Sequence, residues 1–489
     1  KHLFPRGINM SGETSQLHIF FFPFMAHGHM IPAVAMAELF ASRGCKTTII
    51  LTPANAKFFA EAIERSRNLG LNIEIVLLKF PAVEVGLPEG CENANSVTTE
   101  EMSMKFFMAI TMLEQPLEQL VMEHRPSCLV ADIFYPWATG VAAKFGIPRL
   151  VFHGTNFFAL CASICLNKYE PHKKVSSESE PFLIPNLPDE IKLTRSQLPF
   201  YAKEDSQLST FAKKAEESEL TSYGVIVNSF YELEPAYADY YRKVLGRKAW
   251  HIGPTCLYNG DKEDEEQRGP KSSIEEHECL NWLNSKKHNS VVYVCFGSNA
   301  NFNDAQLEEI AMGLEASGKE FIWVVRKEKQ EEGREEWLPE GLEKRIMEGK
   351  GLLIRGWAPQ VLILEHEAVG GFVTHCGWNS IMEGVCAGLP MATWPVAAEQ
   401  FYNEKFVTQI LGIGVGVGAG KWARFVGDSV KKEAIEKAVT RIMGGEEAEE
   451  MRSRAIRLKE MARKAFKEGG SSYSNLDSLI EELRLHTTS

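Results

Sequence analysis

WAPQVLILEHEAVGGFVTHCGWNSIMEGVCAGLPMATWPVAAEQ, residues 357–400, holds two short apolar runs, 371–374 (GFVT) and 391–394 (MATW), each followed by a polar turn. Both runs read as strands. After the first come His375-Cys376-Gly377-Trp378-Asn379-Ser380 and then a helical pattern. Gly377 permits a tight turn, and Asn379 and Ser380 are residue types that cap helix N-termini. A helix N-terminus with His375 as a further donor one step ahead suits an anion, and phosphate is the natural guest. Simple capping is the plainer reading of the Asn-Ser pair. Glu383 lies three residues past Ser380, on the same helix face. Its charge would repel a phosphate, so it is better placed for the hydroxyls of a ribose. Glu399-Gln400, after the second strand and Pro395, sets a carboxylate beside an amide, a pair suited to vicinal sugar hydroxyls. In isolation the pair would be an exposed helix start. Trp357 follows the run 352–355 (LLIR) and offers an indole for stacking, although alone it would read as a core tryptophan. In chain order the stretch reads base, phosphate, ribose, hexose.

Strands that alternate with helices and carry polar turns at their carboxyl ends make doubly wound parallel sheets. The alternation extends upstream through strands 290–296 (SVVYVCF) and 321–325 (FIWVV), with a helix over 305–316, and ends downstream in a charged helical segment, 429–485. An earlier series has strands at 18–23 (HIFFFP), 46–51, 73–78, 128–132 (CLVAD), 149–152 and 224–228, with helices over 33–42, 56–67 and 138–145. Pro32 is expected in the first turn of the 33–42 helix, after a loop that contains His27-Gly28-His29. Residues 171–199 are expected to form an irregular surface loop. The segment 261–273 (DKEDEEQRGPKSS) has no apolar residue and separates the two series. The expected class is therefore α/β with two doubly wound units: 10–255, a linker region 256–276, and 277–489, whose last helix is a candidate to pack back on the first unit.

A chain of 489 residues exceeds one ordinary core. Its 44% hydrophobic and 24% charged residues are those of a soluble globular protein. A formal net charge of −12 speaks against nucleic acid or an anionic membrane as the main partner. The ten cysteines show no CxxC and are expected as reduced core thiols, Cys161 and Cys165 on one helix face. There is no run long enough for a membrane span. Residues 1–9 have no secretory apolar region and read as additional to a native start at Met10, which makes the cytosol the expected location. Residues 412–420 (GIGVGVGAG) alternate strictly and contain no GxGxxG, so a loop or turn is expected there rather than a dinucleotide fingerprint. This weakens the rival reading of an oxidoreductase. No Asp-x-Asp occurs, and no Cys or carboxylate cluster accompanies His27 and His29, so no metal is expected.

The stretch 357–400 resembles, complete and ungapped, the 44-residue signature of plant family 1 UDP-sugar-dependent glycosyltransferases. Phe296-Gly297-Ser298, His29-x-x-Pro32 and Asp132 fall where that family has them, and the similarity runs from about Leu17 to the last helix. The resemblance implies a GT-B fold of two facing Rossmann-like domains, the first holding the acceptor and the second the nucleotide sugar. It implies that Trp357 stacks on uracil and Ala358 meets it through backbone, and that Gln360 and Glu383 hold the ribose. Ser298, His375, Asn379 and Ser380 are implied for the diphosphate, and Trp378, Glu399 and Gln400 for the sugar. Gln400, together with Trp378, implies UDP-glucose as co-substrate, with no other cofactor. The family commonly has Asp where this chain has Glu399, and Asn299-Ala300-Asn301 is an unusual continuation after Ser298.

An acceptor hydroxyl must lose a proton as it attacks the anomeric carbon, which calls for a base of near-neutral pKa oriented by a carboxylate. His29 and Asp132 stand at carboxyl ends of two strands and suit these roles. His27 is an equal candidate on the residues alone, and the family's His-to-Pro spacing is what implies His29. One in-line displacement on an α-linked donor inverts to a β-glycoside. The expected activity is metal-independent glucosylation of a flavonoid, other phenolic or triterpenoid, a branch of the family that residues 172–199 resemble. Another UDP-sugar, C-glycosylation and a non-catalytic UDP-sugar-binding protein are the alternatives. Phe24, Met25, Phe134, Tyr135, Phe157, Phe158 and Phe200 are candidates to line the acceptor pocket, each with core packing as the plainer role. The expected partners are small molecules only, and the expected state is a monomer.

Overall fold

The computed structural model describes residues 16–258, 276–297, 300, 302–325, 341–424 and 428–488. The start expected at Met10, the charged segment 261–273, Ser298, Asn299 and Asn301 lie outside the described residues.

Apolar strands punctuated by helices form two Rossmann-like domains. The first takes β1 (His18–Phe22), β2 (Lys46–Leu51), β3 (Ile73–Leu77), β4 (Cys128–Asp132) and β5 (Arg149–His153). An antiparallel hairpin of β6 (Pro181–Leu183) and β7 (Lys192–Thr194) follows, and then β8 (Gly224–Val227) and β9 (Ala249–His251) complete the sheet. Its order is β3-β2-β1-β4-β5-β8-β9. The second sheet takes β10 (Val291–Cys295), β11 (Glu320–Val325), β12 (Gly351–Arg355), β13 (Val369–Thr374), β14 (Met391–Thr393) and β15 (Gly414–Gly416), in the order β12-β11-β10-β13-β14-β15. Neighbouring strands within each of these two sheets run parallel. Crossover helices cover both faces of such sheets, which is why β4 and β10 are buried along their whole length.

The strand order reverses once in each sheet, between β1 and β4 and between β10 and β13. Loops diverge at such a switch point and open a crevice at the carboxyl ends of the strands. Registry sets what faces that crevice. Phe22 pairs with Ala131, so Asp132 comes next, and Cys295 pairs with Thr374, so Phe296 and His375 come next.

Four expectations are corrected. The first helix spans His27–Ser42 and begins six residues earlier than its apolar pattern suggested, so Pro32 is interior rather than in the first turn and His27 and His29 are helical. The helix expected over 56–67 breaks into Pro53–Ala56 and Ala60–Asn68. Residues 171–199 contain the β6–β7 hairpin. The glycine alternation at 412–420 supplies β15, where a Cβ on Gly414 would stand 2.6 Å from the Met391 carbonyl oxygen. Only glycine allows that approach of two backbones.

The last helix, Ser471–Thr488, places Leu476, Leu479, Ile480 and Leu483 in the core that holds β1, β2 and β4. Arg43 lies 4.0 Å from the Tyr473 ring centroid and 3.0 Å from Asp477, fixing the same helix at its rim. None of the ten cysteines is in a disulfide, and all but Cys256 are buried. Among the described residues, no helix is long and apolar enough to cross a membrane.

Candidate active site

The first turn of the helix after β1 and the end of β4 each deliver one polar side chain to the first crevice. His29 Nδ1 lies 2.7 Å from Asp132 Oδ2; the carboxylate is fully buried, and the imidazole is 23% exposed. Asp132 is held at both ends. Its Oδ1 accepts from the Phe134 N–H at 3.1 Å, and its main-chain carbonyl accepts from the buried Arg149 guanidinium at 2.9 Å. Arg149 in turn donates to Thr139 Oγ1 at 2.6 Å and Ser218 Oγ at 3.1 Å. Gly154 backs the imidazole, since a Cβ there would stand 3.2 Å from it. Burial pushes the His29 pKa down, but the Asp132 charge, its hydrogen bond and the Glu399 charge outweigh burial and leave it above 6.5. His27 is engaged elsewhere: its Nδ1 is 3.2 Å from Asn95 Oδ1, and its ring packs edge-on against Phe58.

β10 and β13 deliver the second half. The His375 ring sits between two glycines, with a Cβ on Gly297 or Gly377 standing 2.5 or 2.3 Å from it. Gly297 is at φ +68°, a region that favours glycine. Burial holds the His375 pKa near 4, so the ring is neutral at physiological pH. Helix Trp378–Ala387 follows with Gly377 at its cap position, so Asn379 and Ser380 lie in the first turn and do not cap it. Gln360 Nε2 donates to Ser380 Oγ at 3.1 Å and to Glu383 Oε2 at 2.6 Å, and Tyr293 donates to Gln360 Oε1 at 3.2 Å. One network thus joins the residues expected at ribose and phosphate. The Trp378 indole is buried and donates to the Asn228 carbonyl at 2.7 Å, while Asn379 Nδ2 donates to the Gly28 carbonyl at 2.8 Å. Both side chains therefore reach the first domain. Glu399 Oε1 accepts from Asn403 Nδ2 at 3.1 Å, and burial raises the Glu399 pKa against the opposing His29 charge. Gln400 Oε1 accepts from the N–H groups of Val396 and Ala397, each at 2.9 Å. That leaves the Gln400 amide nitrogen as the donor for a ligand. Ala398, just before the pair, is held at φ +49°, a strained conformation for a residue with a Cβ.

Both halves open on one cavity of about 1790 Å³. Trp357, Ala358, Gln360, His375, Trp378, Asn379, Ser380, Glu383, Glu399 and Gln400 line it together with His29. Ser298 lies outside the described residues. Of the seven expected acceptor contacts, Phe24, Phe134 and Phe200 line the cavity. Tyr135, Phe157 and Phe158 are core: Tyr135 stacks on Phe22 at 4.1 Å, Phe157 meets Tyr241 at 4.8 Å and Phe158 meets Phe406 at 5.1 Å. Met25 is fully buried with them. Sequence reasoning missed Phe106, Phe107, Tyr201, Phe211, Trp422 and Arg424 in the cavity wall. The apolar face of helix Glu100–Met112 signals burial for Phe106 and Phe107 but does not say against what. A second His–carboxylate pair was also missed: His153 Nε2 lies 2.5 Å from Glu219, which Tyr241 and Arg247 also bind. Burial alone would raise the Glu219 pKa, but these partners bring it to about 2.

Among the described residues, no group of three His, Cys, Asp or Glu is placed to hold a metal ion. A sequence profile for UDP-glucoronosyl and UDP-glucosyl transferases matches residues 251–446. The chain is 58% identical to scopoletin glucosyltransferase of Nicotiana tabacum over 475 residues, covering 97% of this chain and 99% of that one. It is 61% identical over 486 residues to UDP-glucose flavonoid 3-O-glucosyltransferase 7 of Fragaria ananassa, covering 97% and 98%. The crystal structure of Glycyrrhiza uralensis UGT73P12 complexed with glycyrrhetinic acid 3-O-monoglucuronide superposes with a TM-score of 0.91 at 43% identity, covering 97% of each chain.

Proposed function

This chain belongs to the plant family 1 UDP-sugar-dependent glycosyltransferases, and from that premise we propose that it moves glucose from UDP-glucose to a hydroxyl of a hydrophobic plant metabolite, giving a β-O-glucoside. Transfer of a sugar from a UDP-sugar to a small organic acceptor comes with membership. One observation carries the finer reading: His29, backed by the buried Asp132, lines the same cavity as Glu399 and Gln400, and the Glu399 charge is felt at His29.

In this reading the acceptor lies on the aromatic wall with its hydroxyl at His29 Nε2, the ring nitrogen that Asp132 leaves free. His29 takes the hydroxyl proton as the oxygen attacks the anomeric carbon. Asp132 holds the tautomer and balances the imidazolium that forms. The bond from that carbon to the β-phosphate oxygen breaks on the opposite side, inverting the centre and releasing UDP. Trp357 and Ala358 hold uracil, and Gln360 and Glu383 hold the ribose. Ser298, His375, Asn379 and Ser380 take up the charge that develops on UDP, the last two from the first turn of a helix. Glu399 accepts from sugar hydroxyls and Gln400 donates to one. Trp378, whose indole N–H is already bonded, shapes the sugar pocket with its ring. Residues 10–255 form the acceptor domain and 277–489 the UDP-sugar domain, joined through 256–276. Two of the similar proteins are named for scopoletin and flavonoid glucosylation, which supports a phenolic acceptor.

The test is a mass-spectrometric panel of UDP-glucose, UDP-galactose, UDP-xylose and UDP-glucuronate against phenolic, flavonoid and triterpenoid acceptors, with the product anomer read by NMR. UDP-glucose should be the best donor and the product a β-O-glycoside. A better rate with another donor, or an α product, contradicts the reading.

A further inference from the structure

Asn228, just past β8, is 3% exposed and makes three hydrogen bonds to two separate parts of the chain. Its Oδ1 accepts from the Thr255 N–H at 2.9 Å, in the segment that leaves the first domain. Its Nδ2 faces Asn379 Oδ1 at 3.4 Å, and its main-chain carbonyl accepts from Trp378 Nε1 at 2.7 Å. Asn379 passes the connection on, donating through Nδ2 to the Gly28 carbonyl at 2.8 Å, one residue before His29. Pro32 makes that last bond available. In an α-helix the Gly28 carbonyl would be taken by the N–H four residues later, and proline has none. There is no slack around Asn228, because a Cβ on Gly253 would stand 2.5 Å from its Oδ1.

A buried amide with a donor at one end and an acceptor at the other satisfies its neighbours in one orientation only. We propose that Asn228, a residue of the first domain, is a positioning residue for the UDP-sugar. It fixes the orientation of the Asn379 amide and the plane of the Trp378 indole, so that diphosphate and sugar stand in register with His29. This rests on the reading in which Asn379 and Trp378 hold those groups. Asn228→Asp keeps the acceptor for Thr255 but sets an oxygen against Asn379 Oδ1. The Asn379 amide then has to turn over, and its bond to the Gly28 carbonyl is lost.

A double-variant cycle tests the coupling. UDP-glucose affinity by calorimetry and steady-state kinetics are measured for the unaltered enzyme, Asn228→Asp, Asn379→Ala and the two combined. Asn228→Asp should raise the KM for UDP-glucose about tenfold, within the range of coupling between contacting residues, and leave the acceptor KM unchanged. The combined variant should bind UDP-glucose no more weakly than Asn379→Ala alone. Losses that multiply in the combined variant, or an acceptor KM that rises with the donor KM, overturn the proposal. Unchanged UDP-glucose affinity in Asn379→Ala overturns instead the donor-site reading on which it rests. If Asn228→Asp does not fold, Asn228→Ser, smaller and neutral, goes through the same cycle.

Discussion

In the proposed reading His29 takes the proton only while its ring is neutral, and its pKa is raised from the ordinary histidine value because Asp132 and Glu399 outweigh burial. Transfer should therefore rise with pH through a value above 6.5. Asp132→Asn removes the main upward influence and leaves the burial that pushes the pKa down. The acid limb of the kcat profile should then move to lower pH, while kcat falls by less than the about 10²–10⁴-fold that a general base contributes. A limb that stays in place contradicts the pairing. At this scale the sequence was most readable where a polar residue ends or directly follows an apolar strand run, as for Asp132 and His375, and on the residues alone it did not separate His29 from His27. It was least readable where the partner lies far away in the chain. Nothing near Arg149 announces that its guanidinium holds the Asp132 carbonyl, or that Gly154 is small because His29 lies against it.

The turn from β13 into helix Trp378–Ala387 depends on glycine at two places, because the His375 ring lies between Gly297 and Gly377. Gly377 itself has φ −61° and ψ 137°, a backbone open to any residue, so Gly377→Ala is a steric change only. Its Cβ should displace His375 at a cost of about 1–3 kcal/mol and weaken UDP binding by calorimetry, with little change in acceptor binding. Full UDP affinity would show that the ring does not need its present place. The strands expected from apolar runs were placed to within two residues, since buried parallel strands are plain apolar runs, but the three-residue strands β6, β7, β9 and β15 were missed. The start of the first helix was not legible, because Pro32 marks a helix start in sequence but is tolerated here inside one. Phe157 and Phe106 illustrate another limit. Both sit on apolar helix faces, and a face that packs on core has the same pattern as one that walls a cavity.

The two domains are tied together by more than the segment that joins them. The last helix follows the second domain in sequence but lies in the core of the first, with Leu479 and Leu483 fully buried. Leu479→Ala should destabilise the protein by about 2–5 kcal/mol and lower the Tm of a single unfolding transition. A change under about 1 kcal/mol, or the loss of one of two separate transitions, would mean that the helix does not couple them. The helix itself was evident in the sequence, but its destination was only a candidate, because its apolar stripe fits either core. The cavity is likewise a property of the whole molecule, with His29 on one domain and His375, Glu383 and Gln400 on the other. The most direct measurement is the single-turnover rate of His29→Ala with UDP-glucose and a phenolic acceptor at saturation. A fall of about 10²–10⁴-fold with UDP-glucose affinity retained is expected; a rate near that of the unaltered enzyme would contradict a base at His29.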